Sequence, residues 1–163
     1  MLKNALIITW SGFQDHELVY PYYRLLGDDF RVSVVADKKD SLGRVYGIIG
    51  LNMPCDVLIS EFNKDTKKWF NDCDLLVIPG GVKSLEKLRQ EGQFKDFIKK
   101  WHDFGKMITL TCHVAQMLIS SKITKGRKIA GFIHLKTMDN FRQAQLRQCG
   151  HFFHLNLKPK LKS

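Results

Sequence analysis

The sequence feature that most restricts the fold of this 163-residue chain is a series of short apolar runs. Each run is followed by a turn and then by a helical pattern. Runs of this kind occupy residues 5–9, 74–79 and 108–111, and their Val, Ile and Leu content is typical of strands covered on both faces. Strands that alternate with helices are joined by right-handed crossovers and form a mostly parallel sheet. The sequence therefore predicts an α/β fold.

The intervening segments complete this pattern. A further strand is predicted over 31–36. The segment 44–59, which holds two glycines and Pro54, favours short strands or a hairpin. Asp15 is predicted to cap the first helix, Pro21 to kink it, and Ser84 to cap the third. Helices are predicted over residues 16–26, 63–71, 84–90, 93–104 and 113–121.

Cys112 lies where the strand at 108–111 gives way to a helical pattern that begins near Val114. At such a junction the free N–H groups and the positive end of the helix dipole face the side chain. They lower a thiol pKa from about 8.5 into the range ~3.5–7.5, so a reactive thiolate is predicted. The following His113 is placed to orient the sulfur or to carry a proton. The alternative interpretation is a buried core cysteine.

Three segments are predicted to follow strands at the same edge of the sheet, where such folds bind their ligands. Residues 11–17 bring the carboxylate of Glu17, the Gly80-Gly81 pair brings backbone N–H groups, and Cys112 brings a sulfur. An acid, a donor pair and a thiol on one rim form the minimal set for nucleophilic catalysis. The sequence therefore predicts a reactive-cysteine site at this edge.

The amino-acid composition and the spacing of the cysteines indicate the cellular compartment. Apolar residues make up 44% and charged residues 26%, and no apolar run approaches the ~20 residues of a membrane helix. The first ten residues do not resemble a signal peptide, and the four cysteines are too widely spaced for a disulfide framework. A cytoplasmic protein with reduced thiols is predicted, with no membrane partner and no cofactor. The segment 149–154 carries one cysteine and two histidines but lacks a fourth ligand, so no metal site is predicted.

Basic residues are concentrated in the last quarter of the chain. Residues 120–163 hold ten basic residues and a single acid, whereas the first 119 hold sixteen basic and fifteen acidic residues. Such an excess suits contact with nucleic acid, and phenylalanines are interleaved with the charges as in single-strand binders. The competing interpretation, a solvated end, is favoured, so nucleic acid is an unlikely partner.

Several motifs together resemble a known family. Their order and spacing agree over residues 4–137, and the match fails after about residue 138. The motifs are GFQDHEL at 12–18, YPY at 20–22, DLLVIPGG at 74–81, TCH at 111–113, QMLIS at 116–120 and KGRK at 125–128. In these residues the chain resembles the ThiJ/PfpI superfamily, which includes intracellular cysteine peptidase-like proteins, glyoxalases and proteins described as deglycases.

The resemblance implies a flavodoxin-like three-layer sandwich with a mostly parallel central sheet. It also implies one domain over 1–163, with 139–163 as a divergent basic C-terminal segment, and a homodimer or higher homo-oligomer. Cys112 would be the nucleophile at a strand–helix elbow. The other implied site residues are Glu17 and His113 as catalytic partners, the N–H groups of Gly81 and His113 as oxyanion donors, and Gly80, Gln14 and Val114 around the pocket.

Three departures bear on activity. Gln14 stands where peptidase-like members have a second acid, and Val114-Ala115 replaces a Gly-Pro pair. The acid that such members borrow from a neighbouring subunit matches Glu86 only with a one-residue shift. These departures disfavour peptidase activity. The resemblance thus favours a glyoxalase- or deglycase-like enzyme acting on small electrophilic carbonyls. The alternatives are a cysteine hydrolase acting on peptide-like substrates and a non-enzymatic redox sensor or chaperone that uses the same cysteine.

Overall fold

A sheet of five parallel strands forms the centre of the structure, a computed structural model that describes residues 3–124, 128–130 and 145–147. The strand order is β5-β2-β1-β6-β7, which confirms the predicted parallel sheet. A separate antiparallel hairpin, β3–β4, confirms the hairpin prediction, and β8 pairs with β9 in parallel. The strands are β1 Asn4–Ile8, β2 Arg31–Ala36, β3 Arg44–Tyr46, β4 Asn52–Pro54, β5 Val57–Leu58, β6 Leu75–Ile78, β7 Met107–Leu110, β8 Lys128–Ala130 and β9 Gln145–Arg147.

Helices cover both faces of the five-stranded sheet. One core cluster joins α1 and the hairpin to the face that carries Ile7 and Val77. The other joins the five remaining helices to the face that carries Leu6 and Leu76. This gives the three-layer arrangement predicted for the chain. The helices are α1 Asp15–Gly27, α2 Ile59–Phe62, α3 Thr66–Asp72, α4 Val82–Gln90, α5 Gly92–Asp103 and α6 Ala115–Ser120, the last preceded by a 3₁₀ turn over Cys112–Val114.

Parallel register aligns the carboxyl ends of β1, β6 and β7. Leu6 lies opposite Leu76, and Leu76 lies opposite Ile108, and all three side chains are fully buried. The segments that follow these strands therefore meet at one edge of the sheet, as predicted. No helix in the described part of the chain combines the length and the apolar character that crossing a membrane requires.

Asp15 does not cap α1, contrary to the prediction. Gln14 occupies the N-cap position without a side-chain hydrogen bond, and α1 continues through Pro21. The Asp15 side chain is fully buried and accepts hydrogen bonds from the N–H groups of Ile49 and Leu51, each at 2.9 Å. The carboxylate therefore holds the loop of the hairpin against α1. This role depends on a contact with residues more than thirty positions away, which helical spacing does not reveal.

Ser84 does not cap α4 either. The helix begins at Val82, and Gly81 occupies its N-cap position. Ser84 is fully buried inside the helix, and its Oγ accepts a hydrogen bond from the Trp10 N–H at 3.0 Å. The serine therefore ties the residues that follow β1 to the first turns of α4.

Of the divergent C-terminal segment, 139–163, the structure describes residues 145–147. The residues at 149–154, and most of the basic residues between 120 and 163, lie outside the described residues. The proposals of a nucleic-acid contact or a solvated end for this segment stay predictions.

Replacing Asp15 with Asn is expected to destabilise the protein by about 1–3 kcal/mol, because the new amide donor faces one of the two hairpin N–H groups. Urea unfolding followed by circular dichroism measures the loss. The matched control is Asp96→Asn, which removes an exposed acid from α5 and is expected to stay within about 0.5 kcal/mol of the wild type. Equal stability of Asp15→Asn and Asp96→Asn would contradict the role assigned to Asp15.

Candidate active site

Cys112 stands on a sharp elbow between β7 and α6. Thr111 is extended, with φ −128° and ψ 152°, and Cys112 then adopts φ +61°. A positive φ is uncommon for a residue with a Cβ and costs about 1–3 kcal/mol unless the surroundings enforce it. A 3₁₀ turn over Cys112–Val114 follows, and the regular helix begins only at Ala115. The predicted helix over 113–121 is therefore shorter than expected, and the cysteine lies on a strained turn before it.

The sulfur of Cys112 is half-buried and has four polar neighbours. Its Sγ lies 3.0 Å from the Nδ1 atom of His113, and it forms a side-chain hydrogen bond with Glu17. The backbone N–H groups of His113 and Gly81 also hydrogen-bond the sulfur. The structure thus brings the predicted nucleophile, acid, histidine and backbone donors into one contact group.

Glu17 is the buried acid of this group. It lies in the first turn of α1 and is only 7% exposed, and its Oε2 accepts a hydrogen bond from the Gly80 N–H at 2.8 Å. Burial raises the pKa of the Glu17 carboxyl, while the hydrogen bonds from Gly80 and Cys112 and the charge of His16 act in the opposite direction. A carboxylate with a raised pKa is a stronger base than an exposed glutamate.

The thiol pKa differs from the prediction. Burial and, after it, the negative charge of Glu17 raise the pKa of Cys112 to about 11, although the N–H groups of His113 and Gly81 act in the opposite direction. The predicted thiolate is therefore wrong for the resting site. Backbone donors at a helix start lower a thiol pKa, but desolvation and the neighbouring carboxylate oppose them and act more strongly here.

Two glycines make the close approach of these groups possible. A Cβ on Gly80 would lie 2.3 Å from Glu17 Oε2 and 2.7 Å from the Cys112 Cβ. A Cβ on Gly81 would lie 2.8 Å from the Gln14 N atom, and Gly81 also adopts φ +116°. The Gln14 N–H donates to the Gly80 carbonyl at 3.0 Å. Gly80 and Gly81 therefore leave room for the acid, the sulfur and the loop that precedes α1.

Two other residues singled out in the sequence lie elsewhere. Val114, expected at the pocket, is fully buried in the core cluster that also contains Leu110 and Met117. Glu86, the shifted match to the borrowed acid, is exposed and forms a 2.7 Å ion pair with Arg89. Neither side chain belongs to the contact group around the sulfur.

Arg89 is a residue that the sequence analysis missed. Its guanidinium donates to Gln116 Oε1 and to Ser120 Oγ, each at 3.2 Å. These bonds hold α4, whose N-cap residue Gly81 contacts the sulfur, against α6, which follows the elbow. The i,i+3 spacing of Glu86 and Arg89 is a sequence signal for their ion pair, but it does not reveal the contacts with α6.

Within residues 3–124, no group of three or more His, Cys, Asp or Glu side chains is arranged to hold a metal ion. Cys55 and Cys73 are free thiols buried away from the elbow, and burial raises the pKa of both, that of Cys73 to about 11. Cys112 is therefore the half-buried thiol of the described chain, and it is the one that has an acid as a partner.

The structure combines a three-layer α/β fold and a parallel sheet with a cysteine at a strand–helix turn, a buried glutamate and two adjacent glycines. These features define an α/β protein whose candidate site is centred on a cysteine. The sequence profile of the DJ-1/PfpI family matches residues 3–148. The chain belongs to the DJ-1/PfpI family, which confirms the resemblance to the ThiJ/PfpI superfamily.

Individual relatives agree with this assignment. The deglycase PfpI of Pyrococcus furiosus is 31% identical over 133 residues, covering 82% of this chain and 74% of that protein. A deglycase of Pyrococcus abyssi is 32% identical with the same coverage. Among solved structures, DJ-1beta of Drosophila melanogaster superposes with a TM-score of 0.73 at 17% identity, covering 92% of this chain and 76% of that one. This last similarity concerns the fold.

Replacing Gly80 with Ala is expected to destabilise the protein by about 1–3 kcal/mol and to displace Glu17 from the sulfur, because the new methyl group would overlap both side chains. Gly92→Ala is the matched control, since a Cβ there meets nothing within 4 Å and its φ is not positive. This control is expected to be neutral or to stabilise the protein by up to about 1 kcal/mol. Thermal unfolding of both variants measures the change in stability. A melting temperature of Gly80→Ala equal to that of the wild type would contradict the packing described for the site.

Proposed function

We propose that this protein is a cysteine-dependent enzyme of the glyoxalase or deglycase type, acting on small electrophilic carbonyl compounds. The observation that carries the proposal is the hydrogen-bonded pair of Cys112 and Glu17, with the N–H groups of Gly81 and His113 beside the sulfur. The relatives named deglycases at 31% and 32% identity support the same reaction class.

Burial raises the pKa of the Cys112 thiol to about 11 and also raises that of the Glu17 carboxyl. In the proposed mechanism the proton therefore starts on sulfur, and Glu17 acts as the base. As the sulfur attacks an aldehyde carbon, the thiol proton passes to the Glu17 carboxylate and a C–S bond forms. The π electrons of the carbonyl move to its oxygen, and in this mechanism the N–H groups of Gly81 and His113 stabilise that oxyanion. Protonation of the oxygen by Glu17 gives a hemithioacetal.

The second half of the reaction moves one proton between neighbouring carbons. With an α-oxoaldehyde, Glu17 or His113 removes the proton from the hemithioacetal carbon, and an enediol forms. Return of a proton to the adjacent carbon gives a thioester of Cys112. Water then hydrolyses the thioester, releasing a hydroxy acid and restoring the thiol, so the overall reaction adds one water molecule.

The alternatives receive less support from the same geometry. Peptide hydrolysis requires protonation of a departing amine, and the second acid is replaced by Gln14 while Glu86 is paired with Arg89 on the surface. A redox sensor requires a thiolate at neutral pH, whereas burial and Glu17 keep the Cys112 thiol protonated. Attack coupled to proton transfer avoids this requirement, which favours the enzyme.

Cys112→Ser is expected to abolish turnover of methylglyoxal, because a serine hydroxyl beside Glu17 is a much weaker nucleophile than sulfur. The melting temperature is expected to stay close to that of the wild type. Cys55→Ser is the control, since the Cys55 thiol donates to the Val57 carbonyl at 3.4 Å and lies in the core cluster on the other face of the sheet. The measurement is the rate of lactate production by the wild type and the two variants. A wild-type rate in Cys112→Ser would refute the assignment of Cys112 as the nucleophile.

Glu17→Gln is expected to separate the two roles of the acid. Turnover should fall about 10²–10⁴-fold because the base is lost. The pKa of the Cys112 thiol, about 11 in the wild type, should fall because the negative charge that raises it is gone. The measurement is the rate of Cys112 alkylation by iodoacetamide between pH 6 and 11, read by peptide mass spectrometry. An alkylation midpoint that moves to higher pH would show that Glu17 stabilises the thiolate instead.

A further inference from the structure

The strained turn at Cys112 depends on the elements packed around it. Its φ of +61° lies in the left-handed region, which a residue with a Cβ keeps only where the surrounding structure enforces it. The helix that follows, α6, contains six residues, whereas an isolated helix needs about 12–15 residues to be stable in water. Contacts with neighbouring elements must therefore hold both α6 and the turn in place.

Arg89 of α4 supplies polar contacts that hold both ends of α6. Its Nε atom donates to Ser120 Oγ and its Nη1 atom donates to Gln116 Oε1, so one guanidinium reaches residues one helical turn apart. Ser120 Oγ in turn donates to the Gln116 carbonyl at 3.0 Å. The same Nη1 atom also forms the ion pair with Glu86. Because a guanidinium is planar and its donors have fixed directions, these contacts restrict the position of α6 relative to α4.

The same two helices position the groups around the sulfur. The N-cap residue of α4 is Gly81, whose N–H hydrogen-bonds Cys112, and the Gly81 carbonyl accepts a hydrogen bond from the Leu85 N–H at 2.9 Å. α4 also packs against the 3₁₀ turn that contains Cys112. Since a hydrogen-bonded helix moves as a rigid unit, a shift of α4 relative to α6 would change the distance between the Gly81 N–H and the sulfur.

We infer that Arg89 is a positioning residue, which keeps the Cys112 sulfur within hydrogen-bond distance of the Gly81 N–H. Its guanidinium contacts α6, and it acts on the sulfur through the packing of α4 against α6. This inference rests on the proposed function for the role of the Gly81 N–H as an oxyanion donor. The position of the sulfur affects its reaction with any electrophile, so an alkylation measurement tests Arg89 independently of the proposed reaction.

The first measurement is the rate of Cys112 alkylation by iodoacetamide as a function of pH, read by peptide mass spectrometry below the melting temperature of every variant. Arg89→Lys keeps a cation beside Glu86 but lacks the forked donors, and Gln116→Leu removes one acceptor and leaves Arg89 in place. Both variants are expected to move the alkylation midpoint to higher pH, because a donor that lowers the thiol pKa moves away. For Arg89→Lys the rate at pH 8 is expected to fall about threefold.

Glu86→Gln is the matched control, because it removes the ion pair of Arg89 and leaves the two contacts with α6. Its alkylation profile is expected to match that of the wild type. A wild-type profile in both Arg89→Lys and Gln116→Leu would overturn the inference, and so would an equal shift in Glu86→Gln. A lower melting temperature of Arg89→Lys with an unchanged profile would show a purely structural contact and would overturn it as well.

The second measurement is the kcat and KM of the same variants with methylglyoxal. Arg89→Lys is expected to lower kcat about tenfold and to leave KM within about twofold of the wild type, because an oxyanion donor acts mainly in the transition state. Turnover by none of the proteins, with an alkylation profile that depends on Arg89, would reject the proposed reaction and support the positioning role. Equal kcat values in Arg89→Lys and the wild type would overturn the role of Arg89 in catalysis.

Discussion

The burial of one carboxylate beside one thiol is the constraint on which the site depends. Glu17 reaches from α1, Gly80 follows β6 and Cys112 follows β7, so three segments that are distant in sequence meet at a single hydrogen-bonded group. The parallel register of β1, β6 and β7 brings their ends level, and the absent side chains of the glycine pair let the groups touch. Altering any one of these elements changes the distance between acid and sulfur.

Most of the fold could be predicted from the sequence, because the residue patterns that specify its strands and helices are local. Apolar runs predicted β1, β6 and β7, and helical spacing in residues 93–104 predicted α5, Gly92–Asp103, within one residue at each end. The membership of Cys112, Glu17 and the glycine pair in one site also followed from their positions after strands, because parallel strands place such residues at one edge.

The remaining features depend on contacts between distant residues, which sequence spacing does not encode. Asp15 and Ser84 have the chemistry of helix caps, yet both are buried and bind backbone N–H groups of other segments. The direction of the Cys112 pKa shift likewise depends on burial and on the charge of Glu17, and these oppose the backbone donors that the local sequence suggested. The contacts of Arg89 likewise depend on the packing of α4 against α6, which its position in the sequence does not encode.

The raised pKa of Glu17 also links the chemistry of the site to the pH dependence of folding. A carboxyl whose pKa is higher in the folded than in the unfolded chain contributes most to stability below its unfolded pKa. That contribution is lost as the pH rises through the folded value. Above that folded value the native state carries an ionised group that the unfolded chain hydrates better. A neutral residue at position 17 would remove this pH dependence of folding, and it would also remove the carboxylate that lies beside the sulfur.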